Sequence, residues 1–214
     1  QYRGLQRVNV IIELSNSSYT RPWLADFSRY LQATGAEVGL TVEFSRDQQT
    51  EFAALARRAL ADSPAAVVLI SSALDTALLA TQLRQQAPQL ILATPAWAAA
   101  DALIEMGGRA VEGMITALAF DLNDTSAPFL AFKQRYQARF AQPIDTAALT
   151  SYNATWVLLT ALQQRLPGEH PKQALLRIRR FQGVQRLIFF DEFGDSDSLL
   201  YPMVVRDGRF SSPE

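Results

Sequence analysis

The sequence predicts an α/β fold with a doubly wound parallel sheet in one lobe, followed by part of a second lobe made of helices and a terminal β-pair. In the first hundred residues, short apolar runs rich in β-branched residues alternate with stretches whose apolar residues recur every three or four positions, as in strands and amphipathic helices. The short connections favour parallel strands with helices on both faces. After residue 120 this alternation gives way to three helical stretches and few strands.

Four strands are predicted in the first half, over residues 7–13, 36–44, 65–70 and 89–93. The run 65–70 is apolar throughout, which is typical of a strand covered on both faces. The first helix is expected to hold Pro22 in its first turn and to end at Gly35. Its apolar face is predicted to consist of Trp23, Leu24, Phe27, Tyr30 and Leu31. Three more helices are predicted over residues 52–60, 74–87 and 98–106.

The second half is predicted to contain more helices than its strands can cover. A strand is expected within 111–120, helices over 127–140, 146–166 and 171–180, and a hairpin-like pair of strands from 186–190 and 199–205. The helix 146–166 is apolar on much of its surface, at Tyr152, Trp156, Val157, Leu159 and Leu162. Such a helix needs a sheet to pack on, and the sequence does not contain that sheet.

Composition favours binding over catalysis. The 214 residues contain no cysteine, one histidine and a formal net charge of −1. These values argue against thiolate catalysis, multi-histidine metal sites, and nucleic acid or an anionic membrane as the main partner. The chain lacks the Gly-rich dinucleotide and phosphate loops and the Gly-x-Ser-x-Gly motif. We therefore expect no cofactor, no metal and no enzymatic activity. A hydrolase or a phosphoacceptor is the less favoured alternative. Phosphoacceptance needs a cluster of acidic residues at the end of the first strand, and this chain has only Glu13 there.

The two ends carry little further information. No run approaches the ~20 apolar residues of a membrane span. No signal peptide stands at Gln1, and the chain is expected to be processed or trimmed.

Three loops follow strands at the carboxyl edge of the predicted sheet, where ligands bind in open α/β folds. Hydroxyls, an amide and two aromatic rings there suit a small polar ligand with an apolar part. The candidate ligand-binding residues are Ser15, Asn16, Ser18 and Tyr19 in the first loop, Ser71 and Ser72 in the second, and Thr94, Pro95 and Trp97 in the third.

Each candidate also has a purely structural interpretation. Residues 15–18 and the pair Ser71 and Ser72 are typical of helix N-termini, and Trp97 is typical of a ring wedged between a turn and a helix. We interpret Trp23 and Trp156 as core residues.

Two polar features are interpreted as structural rather than functional. His170 is expected to be a solvated loop residue. Residues 191–197 are rich in carboxylates but lack the order of a calcium loop, so we interpret them as a β-turn in which Gly194 supplies a positive φ.

Four stretches carry a resemblance to a known family. They are Val10-Ile-Ile with Tyr19 and Leu24-Ala-Asp-Phe27; Asp47 with Phe52-Ala-Ala-Leu55; Gly108-Arg-Ala-Val-Glu-Gly113 with Phe129, Phe132, Tyr136, Phe140 and Pro143; and Phe181-Gln-Gly-Val184 with Phe190-Asp-Glu-Phe-Gly-Asp195 and Val204-Val-Arg-Asp-Gly-Arg-Phe210. In order and spacing they resemble type I periplasmic solute-binding proteins of the branched-chain amino acid and amide group.

The resemblance implies a domain plan. Family members have two α/β lobes joined by three crossing segments, with the ligand closed between them. On that plan, residues 1–120 form the ligand-binding second lobe, 121–198 part of the first lobe, and 199–214 a crossing strand and tail. The units that build the first lobe's sheet are absent from this sequence. Either a missing N-terminal segment or a second copy in a swapped homodimer is expected to supply that cover.

The resemblance also implies a function. The chain is expected to be the periplasmic receptor of an ABC importer, working with the membrane subunits of the transporter; the alternative is the extracytoplasmic sensor domain of a signalling receptor. In the family, positions resembling Tyr19, Ser71–Ser72 and Pro95–Trp97 contact the ligand, which is expected to be amino acid-like, an amide or an aromatic or other organic acid. Members that bind α-amino acids carry an acidic residue near the position of Ala96. Its absence here favours a ligand without an ammonium group.

Overall fold

The computed structural model describes residues 5–46, 49–196 and 199–213. Asp47 and Asp197, which the sequence analysis used, and residues 1–4 with Gln1 lie outside that description. The chain divides into two compact units. Unit 1 comprises residues 1–117 and 202–214, and unit 2 comprises residues 118–201.

The described residues form nine strands and seven α-helices. The strands are β1 (Arg7–Glu13), β2 (Glu37–Phe44), β3 (Ala66–Ile70), β4 (Ile91–Ala93), β5 (Ile115–Leu118), β6 (Arg180–Gln182), β7 (Leu187–Phe189), β8 (Tyr201–Arg206) and β9 (Arg209–Ser211). The helices are α1 (Ser17–Ala33), α2 (Phe52–Ala59), α3 (Ala73–Gln86), α4 (Asp101–Gly107), α5 (Ala127–Phe140), α6 (Thr146–Gln163) and α7 (Pro171–Ile178).

Unit 1 is built on a seven-stranded sheet with the strand order β2-β1-β3-β4-β5-β8-β9. The pairs from β2 to β5 are parallel, while β8 and β9 form an antiparallel pair. Parallel neighbours that are not joined by hairpins require helical crossovers, and the four helices α1 to α4 supply them. This sheet confirms the predicted α/β class with its parallel sheet.

Alternate residues of β1 point to opposite faces of the sheet, which is why the sheet has a core on both sides. Val8, Val10 and Ile12 pack with the apolar side of α1. Ile11 packs on the other side, in the cluster that contains α2, α3 and α4. All five residues of β3 are buried, as its uninterrupted apolar sequence predicts.

The first helix begins earlier than predicted. It starts at Ser17, so Pro22 lies inside α1 rather than in its first turn. The Thr20 hydroxyl donates to the Glu13 carbonyl at 2.7 Å and fixes this early start. Tyr30 is 67% exposed, so its assignment to the apolar face was wrong. The helix ends at Ala33, and Gly35, two residues later, has the positive φ of +83° that is typical of a residue that stops a helix.

Unit 2 pairs its strands differently from the prediction. Residues 186–190 and 199–205 do not form a hairpin with each other. Instead β7 pairs with β6, through the Phe181–Ile188 register, and β8 pairs with β9. The sequence showed an apolar run at 187–189 but gave no sign that three residues after α7 would form its partner strand.

The core of unit 2 is small, and α6 is covered on one side. Val157 and Ala161 of α6 pack with Ala174 and Phe181. The 18 residues of α6 contain no charged side chain, and most of its remaining surface is apolar and exposed. We call its exposed large apolar residues the α6 face: Tyr152, Trp156, Leu158, Leu159 and Leu162.

The core assignment of the two tryptophans was right for one of them. Trp156 is 48% exposed, so it is not a core residue of this chain. Trp23 is partly buried, stacks on Phe27 and packs against the sheet.

Among the described helices, none combines the length and apolarity that crossing a bilayer requires.

Candidate ligand-binding site

The sheet order places the three candidate loops side by side. β3 lies between β1 and β4 and is parallel to both. The carboxyl ends of these three strands therefore share one edge of the sheet. Each of the three loops leads into a helical turn, and Ser18 and Tyr19, which were predicted in the first loop, lie in the first turn of α1. The three loops with these turns, residues 14–19, 71–74 and 94–100, contain no charged residue. We call this edge of unit 1 the rim.

The first loop is held by the buried carboxylate of Glu13, which is 4% exposed. Its oxygens accept the backbone N–H groups of Ser15 at 2.7 Å and Asn16 at 3.3 Å. Burial alone would raise the pKa of Glu13, but hydrogen bonds from the Ser15 hydroxyl and from the backbones of Ser15, Asn16 and Arg46 lower it. The carboxylate thus acts as a structural anchor, and it leaves the side chains of Ser15, Asn16 and Ser18 exposed at the rim.

The second loop is engaged in the start of α3. Ser71 is fully buried, and its hydroxyl lies 2.8 Å from that of Thr76. Ser72 is the N-cap: its hydroxyl accepts the Asp75 N–H at 3.2 Å and donates to the Asp75 carboxylate at 3.0 Å. The capping interpretation therefore describes Ser72 in this structure, and the Ser71 hydroxyl already has a partner.

The third loop is held from below by two buried threonines. Thr94 donates its hydroxyl to the Leu69 carbonyl at 2.8 Å, and Thr116 donates to the Pro95 carbonyl at 3.4 Å. A short 3₁₀ helix, Ala96–Ala98, follows. It presents Trp97, which is 36% exposed, while Pro95 is buried.

Tyr19 and Trp97 meet across the end of β3. Their ring centroids are 5.2 Å apart with an interplanar angle of 66°, an edge-to-face contact. Burial raises the pKa of the Tyr19 phenol. The structure thus brings the first and third loops together around an aromatic pair, which the sequence alone did not specify.

A salt bridge beside the rim was missed by the sequence analysis. Arg46 follows the carboxyl end of β2, the strand next to β1, and its guanidinium forms an ion pair with Asp75. Asp75 is 3% exposed, whereas the Arg46 side chain is 41% exposed. The position of Arg46 after a strand was the available signal, but a lone arginine after a strand does not reveal its partner.

The remaining polar candidates are structural. His170 caps α7 through its Nδ1, which accepts the Lys172 N–H, so it is exposed as expected but has a capping role. The carboxylate of Asp191 accepts the N–H groups of Phe193, Gly194 and Asp195 at 2.9 Å each, which forms the expected turn. These backbone hydrogen bonds, foremost that from Asp195, lower the pKa of Asp191. In the part of the chain that is described, no group of three metal-ligating side chains occurs.

The family is decided by comparison with known sequences. The profile described as "Periplasmic binding protein" matches residues 4–194. The chain belongs to the periplasmic binding protein family. This membership confirms the resemblance that the four sequence stretches indicated. No curated protein sequence matches the chain.

Solved structures of the family have the same fold. The chain is similar to the leucine-binding protein LivK of Thermotoga maritima, with 24% identity, a TM-score of 0.87, and coverage of 99% of this chain and 60% of that one. It is also similar to LivJ of Streptococcus pneumoniae in complex with isoleucine (16%, TM-score 0.82, coverage 98% and 60%). A third is a solute-binding protein of Rhodopseudomonas palustris in complex with benzoate (16%, TM-score 0.80, coverage 97% and 57%). The chain therefore spans about 60% of the length of these proteins.

Proposed function

We propose that this chain binds a small organic solute at the rim of unit 1, as the ligand-binding part of the extracytoplasmic receptor of an ABC importer. The observation that carries this proposal is the Tyr19–Trp97 pair, which two anchored loops hold at the carboxyl edge of a parallel sheet. Open α/β sheets bind ligands at this edge. Loops that are already held in place lose little conformational entropy when a ligand binds.

The proposed contacts fall into two groups. Ser15, Asn16, Ser18 and Trp97 offer exposed side chains, and Tyr19 offers a partly buried ring. The hydroxyls of Ser71, Ser72 and Thr94 are engaged within the protein, and Pro95 is buried. These four residues are proposed to shape the rim beneath the ligand.

The importer role rests on family membership and on the kind of protein with which the chain shares its fold. The structural neighbours include solute-binding proteins of ABC transporters in complex with leucine or benzoate, and LivJ in complex with isoleucine. By this analogy the receptor works in the periplasm and delivers its solute to membrane subunits of the transporter. A sensor domain with the same fold is the alternative, and a membrane-spanning segment encoded after Glu214 in the gene would favour it.

Binding at the rim is tested by isothermal titration of the purified protein against amino acids, amides and aromatic acids. A solute that binds the wild type is expected to lose at least tenfold in affinity with Tyr19→Ala and with Trp97→Ala. Tyr30→Ala is the matched control, since Tyr30 lies on the same helix as Tyr19 and is exposed to solvent. Binding that survives both rim substitutions would contradict the proposed site.

We also propose that polypeptide beyond these 214 residues covers the α6 face. An apolar helix without charges is typical of a buried position, and the match leaves about 40% of the length of the solved relative LivK uncovered. Sedimentation velocity is expected to show self-association of the 214-residue chain and a monomer for the complete gene product. Leu159→Glu should weaken the self-association, whereas Met106→Glu, on the exposed surface of α4, should not. A dimer of the complete product that Leu159→Glu abolishes would favour a second copy instead.

A further inference from the structure

The charged groups beside the rim differ in whether a solute can reach them. Glu13 and Asp75 are 4% and 3% exposed, and their oxygens are occupied by backbone N–H groups, by the Ser72 hydroxyl and by Arg46. The Arg46 side chain remains 41% exposed despite its pairing with Asp75. A cation is therefore accessible beside the rim, while these two carboxylates are not.

An ammonium ion would need an accessible carboxylate beside the rim. Removing an ammonium from water costs several kcal/mol unless an acceptor, usually a carboxylate, compensates it. The three rim loops contain no acidic residue. The nearest carboxylate after Trp97 is Asp101, four residues on, in the first turn of α4, where it faces the positive end of that helix.

The apolar side of the rim selects for a ring. Trp97 is surrounded in sequence by alanines at positions 96, 98, 99 and 100, so its indole is the one large side chain of that segment. It meets Tyr19 edge to face, and both are fixed by the anchored loops. A planar aromatic ligand gains offset or edge-to-face contacts with such a pair, in addition to the burial of apolar area. An aliphatic chain gains only the burial.

From these observations we infer that the solute is an aromatic carboxylic acid, with its ring against Tyr19 and Trp97 and its charge compensated on the side of Arg46, and that this chain recognises no ammonium group. This inference rests on the proposed function, because it names the class of solute for the same rim.

The test compares ligands that differ in one feature. Titration calorimetry of the wild type is made with 3-phenylpropanoate, L-phenylalanine, 4-methylpentanoate and L-leucine. The first two share a carbon skeleton and differ by the ammonium group, as do the last two. We expect 3-phenylpropanoate to bind at least tenfold more tightly than L-phenylalanine and than 4-methylpentanoate. Tighter binding of either amino acid than of its deaminated counterpart would overturn the inference and leave solute binding intact.

Two variants locate the charge. Arg46→Gln is expected to weaken 3-phenylpropanoate about tenfold and to leave 3-phenylpropanamide within twofold, with Arg58→Gln on the exposed surface of α2 as the control. Equal loss for acid and amide would overturn the role of Arg46. An amino acid whose affinity falls with Asp101→Asn would show an ammonium site and overturn the absence of one. If none of these solutes and no member of the wider amino acid, amide and aromatic acid panel binds, the proposed function itself fails.

Discussion

Units 1 and 2 differ in how completely the described residues bury their apolar surface. In unit 1, helices pack on both faces of the sheet, and β3 is buried along its whole length. In unit 2, α6 contains no charged residue, yet the five residues of the α6 face are 38–48% exposed. Apolar periodicity in a sequence indicates which face of an element must be buried, but not which residues bury it. Unit 1 buries most of its apolar faces with its own residues, whereas unit 2 does not.

The contrast is one of degree, because unit 1 also has an uncovered part. On the α1 side of the sheet, a cavity of about 510 Å³ is lined by apolar residues of β1, β3, β4 and β5 and by Phe27 and Leu31 of α1. One helix about 10 Å wide covers roughly two strands, which lie about 4.8 Å apart. The β4 and β5 side of that face therefore stays open, while the opposite face is covered by three helices.

The largest effect is expected from matched leucine truncations in the two units. Leu69→Ala removes a fully buried side chain of β3 and should lower the free energy of unfolding by about 4 kcal/mol, through lost transfer free energy and the cavity left behind. In the monomeric 214-residue chain, at protein concentrations too low for self-association, Leu159→Ala truncates an exposed side chain of the α6 face and should change the free energy of unfolding by less than about 0.5 kcal/mol. Urea unfolding followed by circular dichroism measures both.

The same two variants also test whether the α6 face is exposed in the protein that is measured. A loss of several kcal/mol with Leu159→Ala would show that the α6 face is buried in the protein measured, by a second copy or by added chain. Repeating the measurement at several protein concentrations separates these two, because only association makes the midpoint depend on concentration.

A smaller effect is expected from truncating one hydrogen-bonded asparagine in each unit. The Asn9 side chain donates to the Ala59 carbonyl at 2.9 Å and to Asp62 at 2.6 Å, and accepts the Leu40 N–H at 2.8 Å. Asn9→Ala leaves backbone groups without partners and should lower the free energy of unfolding by about 3 kcal/mol.

The counterpart in unit 2 makes fewer contacts. Asn153 accepts the Val184 N–H at 3.0 Å, so Asn153→Ala should lower the free energy of unfolding by about 1 kcal/mol. Chemical denaturation of both variants provides the values. Equal losses would mean that the polar contacts of the two units stabilise them equally, contrary to the difference drawn here.

Most of the fold was predictable because its strong signals are local. The helices 127–140 and 146–166 were placed within a few residues of α5 and α6, and the strand 7–13 coincides with β1. The errors arose where a specific contact decides the structure and periodicity does not reveal it. Pro22 was assigned to a first turn because the early start of α1 depends on a hydrogen bond from Thr20 to Glu13. The pairing of β6 with β7 depends on the position of α7, which periodicity does not specify.

The candidate site was predictable as a place but not as an arrangement. Ligands meet the carboxyl edge of a parallel sheet, and the loops that follow the predicted strands β1, β3 and β4 could therefore be named. The partners of each side chain could not. Serine at a strand end suits both a ligand and a helix cap, and only the structure shows that Ser72 is hydrogen-bonded to Asp75. The contact between Tyr19 and Trp97 joins residues 78 positions apart and has no local signal.

The smallest predicted effect concerns a surface ion pair of unit 2. Because the apolar core of unit 2 is small, polar contacts such as this one add to its stability. Arg177 donates to both Glu169 oxygens, at 2.8 and 2.9 Å, and to the Gln164 carbonyl at 2.8 Å. The hydrogen bond from Arg177, then that from the Leu166 N–H, lowers the pKa of Glu169 from 4.5 to about 2. Since the folded pKa is depressed, this stabilisation is present above pH 4.5 and is lost as the pH falls towards 2.

Glu169→Gln should therefore lower the urea midpoint at neutral pH, and the difference from the wild type should shrink between pH 4.5 and pH 2. Fluorescence of Trp156, in a Trp23→Phe and Trp97→Phe background, reports unit 2 alone because the chain has three tryptophans. Asp26→Asn, which removes a surface carboxylate paired with Arg29 on α1, controls for the general loss of one negative charge. A difference that stays constant down to pH 2 would mean that Glu169 stabilises unit 2 by packing and not by its charge. The ion pair between Glu169 and Arg177 would then add no stability to unit 2.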